Sequence, residues 1–336
     1  MKIVVVNDLK GKHIRSVSEA VAYAAFEKNI DCEPIDISDL VIDPLKAGTP
    51  QYIRKTAEHL KKENAGAVIC TGIWGMKLVN AVKKELDGII CCGLISEYSY
   101  PMMTDRINMD FYFAAHQDIK NMLVKKGIPE KKIYVTGIPV RKNYREHLGK
   151  AAARNYLVIP GNKRVYLLIS DGLELEVIEE LCIELDKTEK NDYVMYIPTE
   201  RNGAIRDELI NYAEGNSHIQ IITYTKKLNL YVESADALLL KPDAVISTQA
   251  AVTGVPIVHL ALENRCVTPD SDFFASHEMA VVGNNIKDTI NKARRFVEEK
   301  AVAARMIQMQ YRNVCSDAAD KIIDIILNTK KQLVSG

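Results

Sequence analysis

The sequence predicts an α/β protein with two Rossmann-like, doubly wound parallel-sheet domains and C-terminal helices. Short apolar runs alternate with helical stretches almost from end to end, the β-α-β pattern of parallel sheets. The alternation halts between Arg141 and Gly161, a polar, alanine-rich stretch without a core pattern, and then restarts. A buried strand over Asp236–Leu240 breaks at Lys241-Pro242-Asp243 and a helix follows, Ala244–Thr253, with Asp243 as N-cap and Gly254 as C-cap. A length of 336 residues suits two domains. The expected boundaries are 1–145, a linker over 146–162, 163–314, and a terminal helix over 315–336 that packs back on the first domain.

In order, the first half reads as strand Ile3–Val6 and helix Arg15–Lys28, with Ala20, Val21, Ala24 and Ala25 as the apolar face and Ser16 or Ser18 as the cap. Strand Cys32–Ile37, a loop over Pro44–Pro50 and a charged helix Gln51–Asn64 follow. Next come strand Ala67–Cys70, a helix through Lys84, and strands Gly88–Cys92 and Asp110–Ala115. A helix over Gln117–Lys126 ends at Gly127 and precedes strand Ile133–Val135. The second half reads Val165–Ile169, helix Glu174–Leu185, Tyr193–Ile197, helix Ala204–Ala213 and Ile219–Ile222. A helix, a strand, a turn, a helix and a strand then fill Thr223–Leu260. A loop to Ser271, strand Ala280–Val282, one long helix Ile286–Tyr311 and a last helix Ser316–Lys330 complete the chain.

Hydrophobic residues make up 47% and charged residues 26%, ample for packed cores. The formal net charge is zero, which argues against nucleic acid as a partner. Seven cysteines show no CxxC pair and no metal spacing with histidine, and Cys70, Cys91 and Cys92 read as buried thiols, as in a reducing cytosol. The chain enters a strand at Ile3, so no signal peptide is expected, and no apolar run is long enough to span a bilayer. The expected location is cytoplasmic, with room for peripheral contact at the inner face of a membrane. Trp74, Tyr98, Tyr100, Met102 and Met103 form an apolar loop cluster beside Lys77, Lys83 and Lys84, which suits either an interface or packing on a helix.

Several segments share a resemblance. The longest runs from Asp110 to Val140 and ends in T-G-I-P-V; the others are G-K-H at Gly11–His13, T-G-I-W at Thr71–Trp74, I-S-E-Y at Ile95–Tyr98, T-E-R-N at Thr199–Asn202, and K-P-D-A-V-I-S-T-Q-A-A-V-T-G-V-P at Lys241–Pro256. Together they resemble the diacylglycerol glycosyltransferases, the group of monogalactosyldiacylglycerol synthase. That resemblance implies the GT-B architecture, two domains facing each other across a cleft. It implies an inverting glycosyltransferase that moves a sugar from a nucleotide-sugar donor, a UDP-sugar, to a lipid or other hydroxyl acceptor. His13 would be the general base, because imidazole titrates near working pH, with Glu97 nearby to orient or assist it. Gly11, Thr71, Trp74 and Tyr98 would lie on the acceptor side of the N-terminal domain. Gly172, Arg201, Asn202, Tyr224, Thr225, Asp243, Ala244, Thr248 and Gln249 would hold the donor nucleotide in the C-terminal domain. No resident cofactor is implied; a divalent cation would fit the chemistry, but no ligand cluster identifies one.

The donor loops depart from the family pattern. The paired glycines of K-P-G-G are Asp243 and Ala244, the family glutamate is Gln249, and of a glycine-rich turn at Ser170–Glu176 only Gly172 remains. The family's donor-sugar segment reads Asn264–Val267 and then Asp270. Asp171 and Asp243 bring negative charge to where a diphosphate would lie, which costs several kcal/mol unless a cation intervenes. Two further readings therefore stand beside the enzyme: a catalytically silent relative acting as a binding or partner subunit, and a changed donor or reaction on the same fold.

Overall fold

The computed structural model describes residues 1–335 except 9–11, 44, 45, 47, 100–105, 190, 191, 200–204, 224 and 262–267, and it describes only the backbone of 12, 13 and 333–335. The chain forms two compact units, Met1–Lys142 together with Val314–Gly336, and Asn143–Asn313.

The first unit runs β1 (Lys2–Asn7), α1 (Lys12–Glu27), β2 (Asp31–Asp36), α2 (Ile37–Leu40), α3 (Pro50–Lys62), β3 (Ala65–Cys70), α4 (Ile73–Val82), β4 (Ile90–Leu94), β5 (Phe111–Ala114), α5 (Gln117–Lys125) and β6 (Ile133–Val135). Among the described residues its strands pair in the order β2-β1-β3-β4-β5-β6, all parallel. The buried strands β1, β3 and β4 are near-continuous apolar runs, as a sheet covered on both faces requires. Pro34, which lacks an amide donor, lies on the edge strand β2, where the missing bond costs no ladder partner.

The second unit contains α6 (Lys142–Arg145), which starts at the boundary, α7 (Lys150–Tyr156), β7 (Arg164–Ile169), α8 (Leu175–Glu189), β8 (Tyr193–Thr199), α9 (Arg206–Glu214), β9 (Ile219–Thr223), α10 (Leu228–Ser234), β10 (Ala237–Leu240), α11 (Ala244–Thr253), β11 (Ile257–Leu260), α12 (Pro269–Ser276), β12 (Val281–Gly283), α13 (Ile286–Glu298) and α14 (Lys300–Asn313). The order is β12-β11-β10-β7-β8-β9, again parallel. Tyr166, Leu168, Met195, Leu239 and Val258 of this sheet join a core with Ile178, Leu181 and Leu185 of α8 and Ile290 and Phe296 of α13. The last helix, α15 (Ala318–Ser335), packs on α1 of the first unit, where Lys28 pairs with Asp324 at 2.6 Å.

Some elements differ from the expectations. Helix α1 starts at Lys12, so Ser16 and Ser18 lie inside it; the Ser18 hydroxyl donates to the Arg15 carbonyl at 3.0 Å, a bond within the helix and not a cap. The stretch 146–162 carries α7. The long helix expected over Ile286–Tyr311 is two helices that part at Glu299 (φ −110°, ψ 79°). No glycine or proline marks that break. It follows from docking: the Gln310 amide donates to the carbonyls of Val255 and Met279 at 2.9 and 3.0 Å, and the Ile257 amide meets Met306 Sδ at 3.3 Å. The loop expected to reach Ser271 ends earlier, because Pro269 opens α12 and the Thr268 hydroxyl accepts the Ser271 amide at 3.2 Å. Cys70, Cys91, Cys92 and Cys182 are buried free thiols, and burial pushes the Cys91 thiol up to about 12.

Candidate functional site

Each sheet reverses direction once. In the first unit the chain leaves β1 for β2 and returns to place β3 on the other side of β1; in the second it leaves β7 for β8 and β9 and returns to place β10 beside β7. The crevices outside the carboxyl ends of β1/β3 and β7/β10 are therefore the topological switch points, where α/β sheets bind ligands.

In the first crevice the residues after β1 and β3 face each other. Asp8, 6% exposed, accepts the Trp74 amide on Oδ2 at 2.8 Å and the Gly75 amide on Oδ1. It thereby caps α4 from another strand, since the helix's own N-cap, Gly72, has no side chain to offer. A Cβ on Gly72 would fall within the Asp8 carboxylate. Burial pushes the Asp8 carboxyl above its ordinary range; the two amides oppose this, the Glu97 charge reinforces it and Lys77 relieves it. Thr71 is buried, and its hydroxyl lies 3.3 Å from the Val6 carbonyl and 3.5 Å from Asn7 Oδ1. Trp74 is half-buried with the Lys77 ammonium 4.2 Å from its ring centroid, and Tyr98 is buried. Glu97 is exposed and accepts the Ser99 hydroxyl at 3.2 Å. The His13 backbone lies in the first turn of α1. Its side chain lies outside the described residues, as do Gly11, Tyr100, Met102 and Met103.

In the second crevice Asp243 caps α11, its Oδ1 accepting the Ile246 amide at 2.8 Å. The capping role uses the carboxylate on its own helix, whose N-terminal dipole favours a negative charge there. Ala244 follows, buried, and the Thr248 hydroxyl donates back to the Ala244 carbonyl at 2.6 Å. Gln249 is buried within the same helix, at 7% exposure. Gly172 holds φ +73°, a conformation side chains disfavour, and Lys241 lies across it. The Thr225 hydroxyl accepts the Lys227 amide at 3.0 Å in the turn before α10. Arg201, Asn202 and Tyr224 lie outside the described residues, as does Asn264–Val267.

The structure thus gathers Thr71, Trp74, Tyr98 and Glu97 at the carboxyl edge of the first sheet, and Gly172, Asp243, Ala244, Thr248 and Gln249 at that of the second. Asp8 was missed by sequence reasoning. Its signal was an acidic residue closing an apolar first strand, but the helix it caps begins 65 positions later, at Ile73. His259 was also missed: fully buried in β11, its Nε2 lies 2.9 Å from the Ser247 hydroxyl of α11.

Among the described residues, two six-stranded parallel sheets, each with a switch point at its carboxyl edge, define a two-domain Rossmann-like fold of the GT-B class. Solved structures agree at the level of fold. The UDP-GlcNAc 2-epimerase of Neisseria meningitidis bound to UDP-GlcNAc superposes with a TM-score of 0.68 at 15% identity, covering 98% of this chain and 100% of that one. The MurG protein of Acinetobacter baumannii gives 0.63 at 15% identity, covering 97% and 99%. Within that class the sequence is similar to the diacylglycerol glycosyltransferases. The profile of the Monogalactosyldiacylglycerol (MGDG) synthase family matches residues 44–140. The processive diacylglycerol beta-glucosyltransferase of Bacillus cytotoxicus is 22% identical over 221 residues, 65% of this chain and 56% of that protein. Its counterpart in Bacillus subtilis is 21% identical over 230 residues, 68% and 60%. The matches thus span little more than half the length of these curated relatives. Among the described residues no helix is long and apolar enough to cross a membrane.

Proposed function

We propose that the protein is a glycosyltransferase that moves a sugar from a nucleotide-sugar donor, a UDP-sugar, to a diacylglycerol-type lipid acceptor. The observation that supports this most is the similarity to diacylglycerol glucosyltransferases over about two thirds of the chain. In this reading the N-terminal crevice takes the acceptor and the C-terminal crevice takes the donor. His13 removes the proton from the acceptor hydroxyl as the sugar–phosphate bond breaks, so the anomeric centre inverts in one displacement. In the same reading Glu97 orients or supports that base. Gln249, Arg201 and Asn202 serve the donor, and acceptor capture brings the protein to the membrane surface as a peripheral contact.

The Asp243 carboxylate accepts the Ile246 amide, where it caps its own helix. It keeps its charge there, so in this reading a cation has to offset it beside the diphosphate.

The test is transfer of labelled sugar from UDP-glucose and UDP-galactose to diacylglycerol in mixed micelles, alongside thermal melting with each nucleotide, with and without magnesium. A melting shift with a uridine nucleotide that Gln249→Ala abolishes, together with labelled glycolipid, is the expected result. His13→Ala should lower kcat by about 100-fold or more. No product and no shift at millimolar nucleotide would overturn the assignment.

A further inference from the structure

The loops at the C-terminal switch point are Ser170-Asp171-Gly172 after β7 and Lys241-Pro242-Asp243 after β10. They come from adjacent strands, since Leu240 pairs with Ile169. Lys241 does not simply extend away from its own loop. A Cβ built on Gly172 would meet Lys241 Cδ at 3.5 Å and Nζ at 3.6 Å, so the side chain lies back across the opposite turn although the residue remains exposed. Gly172 holds φ +73°, which side chains disfavour, and a Cβ there would meet the lysine only at ordinary van der Waals distance, so the turn's backbone path and not a missing side chain brings the two loops together. The ammonium has no hydrogen-bond or ion-pair partner among the described residues. The nearest acid in its own loop, Asp243, has turned to the Ile246 amide at 2.8 Å. The result is an unpaired cation held over a crevice where α/β sheets bind ligands, between two loops that have lost the glycines of a backbone phosphate cradle.

An ammonium with three donors and no internal partner is matched by a phosphate oxygen, a charge-assisted contact about twice as strong as a neutral hydrogen bond. We propose that Lys241 holds the diphosphate of the nucleotide donor, a side-chain cation doing the work of the glycine-lined backbone that Asp243 and Ala244 have replaced. This assignment rests on the donor reading above and names the residue that makes it electrostatically feasible. No covalent step is involved; Lys241 stays protonated and neutralises charge.

The test is calorimetric titration of the full chain, wild type, Lys241→Met and Lys241→Arg, with UDP, UMP and uridine. Melting curves without ligand check that each variant is folded, and Lys241→Gln replaces the methionine variant if that one is not. The expected result is that removing the ammonium weakens UDP about tenfold or more, weakens UMP less and leaves uridine unchanged, while arginine keeps UDP within about threefold. Wild-type-like UDP binding by Lys241→Met overturns the assignment of Lys241 and leaves the donor reading intact, because the wild type still binds. Equal losses for UDP and uridine also overturn it, since they mark a disturbed pocket and not a lost charge. A folded wild type that binds none of the three overturns the donor reading and this inference together.

Discussion

Asp8 occupies the space that a side chain at residue 72 would need. Its carboxylate takes the amides of Trp74 and Gly75, and a Cβ on Gly72 would fall inside it. The two positions are one device: the glycine cannot cap α4, and its lack of a side chain admits the carboxylate that does. Asp8→Gly should cost about 1–2 kcal/mol, the usual loss of a helix cap. Gly72→Ala should cost a similar amount or more through eviction of Asp8. In the double variant Asp8→Gly/Gly72→Ala the alanine no longer evicts anything, so the combined loss should fall short of the sum by about 1 kcal/mol. Urea unfolding of the four proteins measures this; strict additivity would contradict the pairing.

His259 gives the protein an acid-sensitive core. Burial holds its imidazole down at about 3, against an ordinary value near 6.5 in the unfolded chain. The unfolded state therefore binds an extra proton between those values, and stability rises with pH across that window. The contribution is fully present above about pH 6.5 and is lost as pH falls toward 3, with a slope of about 1.4 kcal/mol per pH unit from this group. Melting temperature followed from pH 7.5 to 4.5 should fall less steeply in His259→Gln than in the wild type.

Glu189 ties the amino edge of the second sheet to α13. Its fully buried carboxylate lies 2.6 Å from Arg164, 2.8 Å from Arg294 and 3.0 Å from the Tyr166 hydroxyl. Removing it leaves two partly buried guanidinium groups to share one remaining carboxylate, Glu298, 2.7 Å from Arg294 and 3.9 Å from Arg164. Glu189→Ala should cost about 3 kcal/mol, read from urea unfolding, whereas the exposed Arg295–Glu299 pair should be worth under about 1 kcal/mol.

Gly137 lies in the T-G-I-P-V turn at φ +90°, and a Cβ there would meet Cys315 Cβ at 2.7 Å and Ala318 Cβ at 3.4 Å. Its need for glycine is a close approach by the start of α15. Gly137→Ala should destabilise by about 1–3 kcal/mol, from backbone strain plus displacement of that helix. Hydrogen exchange should show α15 loosened before the sheet.

The alternation of apolar runs made the fold class legible, and capping residues near their own helices were legible too: Asp243 and Gly254 stand where the pattern puts them, at the ends of α11. The break at Glu299 was not, because nothing in the local sequence opposes a continuous helix there and only the docking of Met306 and Gln310 turns the chain. Nor was the Asp8 cap, because a carboxylate and a helix end so far apart in sequence meet only when β1 and β3 pair.

The sequence alone determined the two parallel sheets, because buried strands and amphipathic helices write their periodicity into every few residues. It also determined that Asp243 and Ala244 stand where the family it resembles has paired glycines, which is a matter of identity and needs no coordinates. Tertiary structure decided how those loops are arranged. Whether Asp243 faces a ligand or its own helix, and whether Lys241 points to solvent or across Gly172, depends on rotamers chosen by neighbours from other strands. Those choices are made by packing and charge across sequence-distant loops, interactions that no local pattern encodes.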